Sequence, residues 1–95
     1  TKTISFILFK HGKSIPQIAA IRELAVSTIE SHLAYYVEAG RLNVTDLVPA
    51  AKIPVITNVV QRLGSYPLSP LKEVLGESVS YGEIRAVIAH LRRSQ

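Results

Sequence analysis

Three groups of residues in this chain have the types and spacings that chemistry requires. The first is Gly12-Lys13-Ser14, which matches the end of a phosphate-binding loop. The full motif needs a Gly five residues before Gly12, where Ile7 stands, and a glycine-rich loop behind a strand. Neither is present, so ATP binding by this chain is not expected. The second group is histidine. His11, His32 and His90 are isolated, with no second ligand at i+3 or i+4, and the absence of Cys removes the usual zinc patterns. His32 with Ser31 and Asp46 supplies the residue types of a hydrolytic triad. No nucleophile-elbow glycines surround the serine, however, and His32 reads as a packed or interfacial residue of a helix. No catalytic residue, metal ligand or cofactor is assigned, and the chain is not expected to be an enzyme.

The third group is basic. Arg85, Arg92 and Arg93 fall at i, i+7 and i+8 on one face of the last expected helix, a stripe suited to phosphates. Arg at a helix C-terminus also favours the macrodipole while remaining in water, and both roles stay open here. Lys10 and Lys13 bracket the first turn, and Arg41 follows the third helix. Those places flank a duplex when a third helix enters a groove. Thr28, Ser31 and Tyr35 lie on the outer stripe of that helix, where they can touch phosphate or sugar, or equally a protein partner. The same stripe has Glu30 and Glu38 nearby, and no Lys or Arg occurs from Val26 to Gly40. Base reading ordinarily uses Arg, Lys, Asn or Gln, so strong sequence-specific reading of DNA is not expected.

The elements that would position these residues follow from caps and periodicity. Ser14 with Gln17, Ser27 with Glu30, and Ser80 with Glu83 each match a capping box. Residues 3–11 read as a first helix with Ile4, Ile7 and Leu8 on one face, widened by Phe6 and Phe9. A strand is the alternative for so apolar a run. Residues 15–24 form a second helix, with Pro16 tolerable in its first turn. Its inward residues are Ile15, Ile18, Ala19 and Leu24, joined by Ile21. Residues 24–27 form a turn that tucks Val26 beneath the third helix. Residues 28–39 form that third helix on Ile29, Leu33, Tyr36 and Val37, stopped by Gly40.

The second half repeats the helical pattern. Arg41 to Val44 suits one short extended piece, but no hairpin turn follows, so no wing is expected. Thr45-Asp46 looks like a further helix start. Pro54 opens a helix on Ile56, Val59, Val60 and Leu63 that Gly64 closes. Residues 65–70 read as a connector. Ser69-Pro70 starts a short helix with Leu71, Val74 and Leu75 inward and Gly76 as its stop. A last helix carries Tyr81, Ile84, Val87, Ile88 and Leu91. The fold expected is all-α: a small multi-helix domain built on a helix-turn-helix, followed by three or so short helices.

Ninety-five residues make one small domain, and 47% hydrophobic content is enough for a core without disulfides. The cysteine-free composition suits a reducing cytoplasm. No apolar run approaches the roughly 20 residues that span a bilayer. The net charge of +4 is compatible with nucleic acid. Two Phe, four Tyr and no Trp are poor material for an extended base-stacking platform. The missing initiator Met and a start inside an apolar run point to a fragment of a longer protein.

The run Ile18-Ala19, Arg22, Leu24, Ser27-Thr28-Ile29-Glu30, His32-Leu33, then Gly40, then Asp46-Leu47-Val48, resembles the helix-turn-helix domain at the C-terminus of RecQ-type ATP-dependent DNA helicases. Leu71-Lys72 and Ser80-Tyr81-Gly82-Glu83-Ile84-Arg85 are similar to that family's closing segment. Response-regulator and sigma-type helix-turn-helix domains share the first half of the pattern, so the closing segment favours the helicase family. The resemblance implies a C-terminal accessory module of a helicase active in DNA unwinding, repair and recombination. ATP and magnesium would belong to the parent protein's motor domains. The implied partner is DNA (single-stranded, duplex or forked), with the helicase core or a second copy as further partners, and the implied location is the nucleoid. Arg22, His32 and Arg85 match family positions. The alternatives are a protein-interaction or self-association module, and the DNA-binding domain of a transcription regulator.

Overall fold

The computed structural model describes residues 2–64 and 68–93. Among these the chain forms six α-helices and short 3-10 turns and no strand, so the first segment is helical and there is no wing. The helices are α1 (Lys2–Lys10), α2 (Ile15–Arg22), α3 (Val26–Glu38), α4 (Ile53–Leu63), α5 (Leu68–Leu75) and α6 (Tyr81–Arg93). Arg41 and Leu42 form a bend, followed by 3-10 turns at Val44–Asp46 and Ala50–Lys52. The expected connector at 65–70 is shorter than predicted. Residues 68–70 already belong to α5, and 65–67 lie outside the described residues.

α3 is the axis of the domain. It packs on α1, on α2 and most extensively on α6, and α6 in turn carries α4 and α5. Ile29, Leu33 and Val37 recur at i, i+4 and i+8 on α3 and are fully buried. They join Ile18, Ile56, Leu71, Ile84 and Val87 in one core. Each such side chain contributes roughly 1.5–3 kcal/mol on burial.

The expected caps fare unequally. Ser14 and Gln17 form a capping box, with the Ser14 N–H donating to Gln17 Oε1 at 2.8 Å. Ser80 and Glu83 form another, at 3.0 and 3.2 Å. Ser27 caps nothing, because α3 begins two residues earlier than expected, at Val26, with Ala25 at the N-cap position. The turn tightens at Glu23, whose φ of 55° is left-handed and whose N–H reaches back to Ala19 and Ala20. Ending α2 at Arg22 shifts the turn toward the N-terminus and starts α3 within the segment read as turn. Gly40, at φ 81°, follows the end of α3 as expected.

The inward face of α1 is rotated from the expected one. Ser5 is fully buried and Phe6, Leu8 and Phe9 are partly so, while Ile4 and Ile7 remain 50% and 48% exposed. Ile21, on α2 ahead of the αL turn at Glu23, and Leu24 and Val26, which follow that turn, also face outward. On α5, Leu71 is buried but Val74 points away.

Candidate nucleic-acid interface

Burial on α3 leaves a narrow outward stripe. Ser27, Ser31, Tyr35 and Glu38 are exposed, and Thr28 in the first turn is half-buried. α1 and α6 border the stripe on its two sides. On the α1 side, the Phe6 ring stacks on Tyr36 with centroids 4.2 Å apart, and Tyr36 meets Tyr35 edge-on at 5.2 Å. Lys2 Nζ lies 4.8 Å from the Tyr35 ring centre. The three rings form a braced series ending in the exposed Tyr35.

On the α6 side the stripe becomes one wall of a groove of about 240 Å³. Ser31, Tyr35 and Glu38 face Arg85, Ile88 and Arg92 across it. Two contacts fix the mutual direction of the helices. At the start of both, the Glu30 carboxylate rests on Gly82, where any Cβ would overlap it. At the other end, Arg92 Nη1 stands 3.7 Å from Glu38 Oε1. α3 and α6 therefore run parallel. Burial pushes the Glu30 carboxyl above its ordinary range, with Arg85 opposing that rise and Glu83 adding to it. Glu83 is itself paired with Lys52 at 3.3 Å.

The basic residues that seemed scattered in sequence become neighbours. Arg85 and Arg92 share the groove. A Cβ at Gly40 would sit 3.2 Å from Arg93 Nε, so Arg93 crosses the end of α3 beside Arg41. Lys10, at the end of α1, borders a second depression of about 230 Å³ with Phe9, Leu42 and Asp46, which places it next to the Arg41–Leu42 bend. Lys13 follows, its N–H bonded to Leu8 O at 3.1 Å. Lys10, Lys13, Arg41 and Arg93 are exposed. Of the sequence-predicted residues, Ser31, Tyr35, Arg85 and Arg92 meet in the groove, Arg93 reaches Gly40 beside Arg41, and Lys10 borders the Leu42 depression, whose lining does not include Lys13. Thr28 does not line the groove.

A polar cluster that sequence reasoning missed lies beneath this surface. Arg22 Nη1 donates to Ser5 Oγ at 2.9 Å, and Ser5 Oγ is 2.9 Å from His32 Nδ1. Ser5 Oγ thus accepts from Arg22 and shares a second hydrogen bond with His32 Nδ1, whose direction follows the imidazole tautomer. Burial, and then the Arg22 guanidinium, hold the imidazole below the usual histidine range. Ser31 and Asp46 take no part. Asp46 Oδ2 accepts from the Asn43 N–H at 3.2 Å, so the triad types do not assemble. The sequence signals were His32, read as a packed or interfacial residue, and Arg22, while nothing but its place amid the apolar residues of α1 marked Ser5. Among the described residues no group of acidic and histidine side chains is gathered for a metal ion, and no helix is long and apolar enough to cross a membrane.

A family model described as a helix-turn-helix domain matches residues 1–88. No curated protein and no solved structure matches the chain.

Proposed function

The chain belongs to the helix-turn-helix domain family, and from that premise we propose that it binds nucleic acid mainly through phosphates. The observation that carries this is the grouping of cations: Arg85 and Arg92 in the groove, Arg93 at Gly40 next to Arg41, and Lys10 at the depression beside Leu42, with Lys13 three residues further along the chain. A strand laid across that grouping meets several cations and releases counterions. The outward face of α3 contributes hydroxyls from Ser31 and Tyr35. It holds no Arg, Lys, Asn or Gln between Val26 and Ala39. Binding is accordingly weak in sequence preference and strong in salt dependence.

The test is a salt titration of the chain with labelled DNA. Each phosphate contact adds about 0.7–0.9 to the slope of log affinity against log salt. Arg41→Ala and Arg93→Ala each lower that slope by about one contact, uniformly across sequences. Absence of binding at low salt to single-stranded, duplex and forked DNA alike would remove the proposal.

The finer assignment is an accessory module of a RecQ-type ATP-dependent DNA helicase, serving unwinding, repair and recombination. It rests on the sequence resemblance, above all at Tyr81-Gly82-Glu83-Ile84-Arg85. In that setting ATP and magnesium bind elsewhere in the parent protein, and this domain holds the DNA that the motor moves. Helicase motifs upstream in the parent chain test that assignment directly. One observation favours a second function, a protein contact: Ile4 and Ile7 stand side by side on the outer face of α1, about half exposed. Light scattering over a concentration series tests self-association through that face.

A further inference from the structure

We propose that the groove between α3 and α6 holds one unpaired nucleotide, its base against the Tyr35 ring and its phosphate against Arg85 and Arg92. This rests on the nucleic-acid function proposed above and names the strand that the site takes. Four observations lead to it.

The first is shape. α6 lies along α3, so the stripe that a reading helix would insert into a duplex is here the wall of a groove. A major groove admits a protruding helix, and α3 protrudes only along the width of one residue row. The second is the ring. Tyr35 is 52% exposed and lines the groove. Tyr36 and Phe6 brace it from behind. Lys2 lies over the ring from α1 and is not part of the groove lining, whereas Tyr35 itself lines the groove.

The third is charge. Arg85 and Arg92 stand on the wall opposite Tyr35, two turns apart on α6, and Lys2 adds a third cation at the ring. Glu38 is the one carboxylate in the lining, and it faces Arg92. The fourth is the chemistry of the bases. Within a duplex, away from its ends, both faces of each base are occupied by stacked neighbours. An unpaired base along the strand offers a face to an aromatic ring, and such stacking tolerates any sequence. The chain has too few aromatics for an extended platform, but a single nucleotide needs only one ring. The cations beyond Gly40 then carry the strand onward without contacting bases.

The experiment is fluorescence anisotropy of the chain with four labelled probes of equal length: oligo(dT), oligo(U), an abasic strand with the same phosphates, and a blunt duplex. Oligo(dT) or oligo(U) binds roughly tenfold or more tightly than the abasic strand, and the tighter of the two names the strand type. Tyr35→Ala brings oligo(dT) down to the abasic level, and Tyr35→Phe does not. Arg41→Ala weakens oligo(dT) and the abasic strand alike. If the Ala variant melts, Tyr35→Leu keeps the bulk against Tyr36 and removes the ring. Equal affinity for oligo(dT), oligo(U) and the abasic strand, or a Tyr35→Ala variant that still distinguishes base from abasic site, overturns the inference and leaves phosphate binding standing. A preference for the duplex overturns it in the same way. Failure of every probe to bind removes both.

Discussion

The Ser5 hydroxyl lies 2.9 Å from His32 Nδ1, and with Arg22 it ties three helices together at one buried atom. Ser5 is fully buried on α1, Arg22 ends α2, and His32 lies midway along α3. Replacing Ser5 by Ala deletes an acceptor for a guanidinium and a hydrogen-bond partner for an imidazole in one step. Leaving such groups unsatisfied costs about 1–2 kcal/mol. The expected outcome is a fall in Tm of about 4–8 °C for each kcal/mol. Thermal melts followed by circular dichroism check it, and an unchanged Tm would show that the cluster does not hold α1 in place.

Stability should also fall with pH because of the same cluster. His32 titrates below its ordinary value in the folded chain, held there by burial and then by Arg22. The unfolded chain, with its histidine near 6.5, therefore binds more protons in that range. Stability is present above about pH 6.5 and is lost as pH falls below it toward the lower folded pKa. Lys2 adds to the depression from α1. His32→Asn keeps a hydrogen-bond partner for Ser5 and cannot titrate. Denaturant melts between pH 7.5 and about 5.5 should show a flatter profile for this variant than for the parent; equal slopes would exclude His32 as the cause.

Much of this architecture was readable because it repeats simple signals. The Ile29–Leu33–Tyr36–Val37 stripe, the Ser14 and Ser80 boxes and the stop at Gly40 are local patterns with local consequences. What failed depends on rotation and on distant partners. An apolar count cannot choose between Ile4–Ile7–Leu8 and Ser5–Phe6–Leu8–Phe9 as the inner face of α1. The choice falls to Arg22 and His32, which need Ser5, and to Tyr36, which takes Phe6. Ser27 followed by Glu30 matched a capping pattern, but α3 starts at Val26, which puts Ser27 inside the helix, and the Glu30 carboxylate rests on Gly82, a neighbour invisible from α3 alone. Arg85, Arg92 and Arg93 were visible as a helical row. Their juxtaposition with Tyr35 and Gly40 required knowing that α6 runs parallel to α3.

Gly82 is explained by that partner and gives a test of it. A Cβ there would overlap the Glu30 carboxylate, the far end of a flexible side chain, which can swing aside. Ala also gains about 1 kcal/mol in helix propensity over Gly. Gly82→Ala is therefore expected to leave stability within about 1 kcal/mol of the parent. Its effect appears at Glu30 instead. Displaced into water, the carboxyl loses the burial that raises its pKa and titrates closer to its ordinary range. A side-chain NMR titration of Glu30 reads the shift. A raised pKa that persists in the variant would mean that burial against Gly82 is not its source.

Glu38 sets the balance of charge in the groove. Its carboxylate stands 3.7 Å from Arg92, and both side chains are nearly half exposed, at 48% and 47%. An exposed pair of this kind contributes about 0–1 kcal/mol to stability, so Glu38→Gln should leave the melting curve nearly unchanged. Its effect on a bound strand differs. The carboxylate faces the same space that a phosphate would enter, and one such repulsion across about 4 Å of water amounts to about 1 kcal/mol. Removing it should raise affinity for oligonucleotides by roughly fivefold at low salt, with the gain shrinking as salt screens it. A matching Glu73→Gln change on exposed α5, away from the groove, should do much less. Salt-dependent anisotropy compares the two variants. If Glu38→Gln binds no better than Glu73→Gln, the strand does not pass along the groove between α3 and α6.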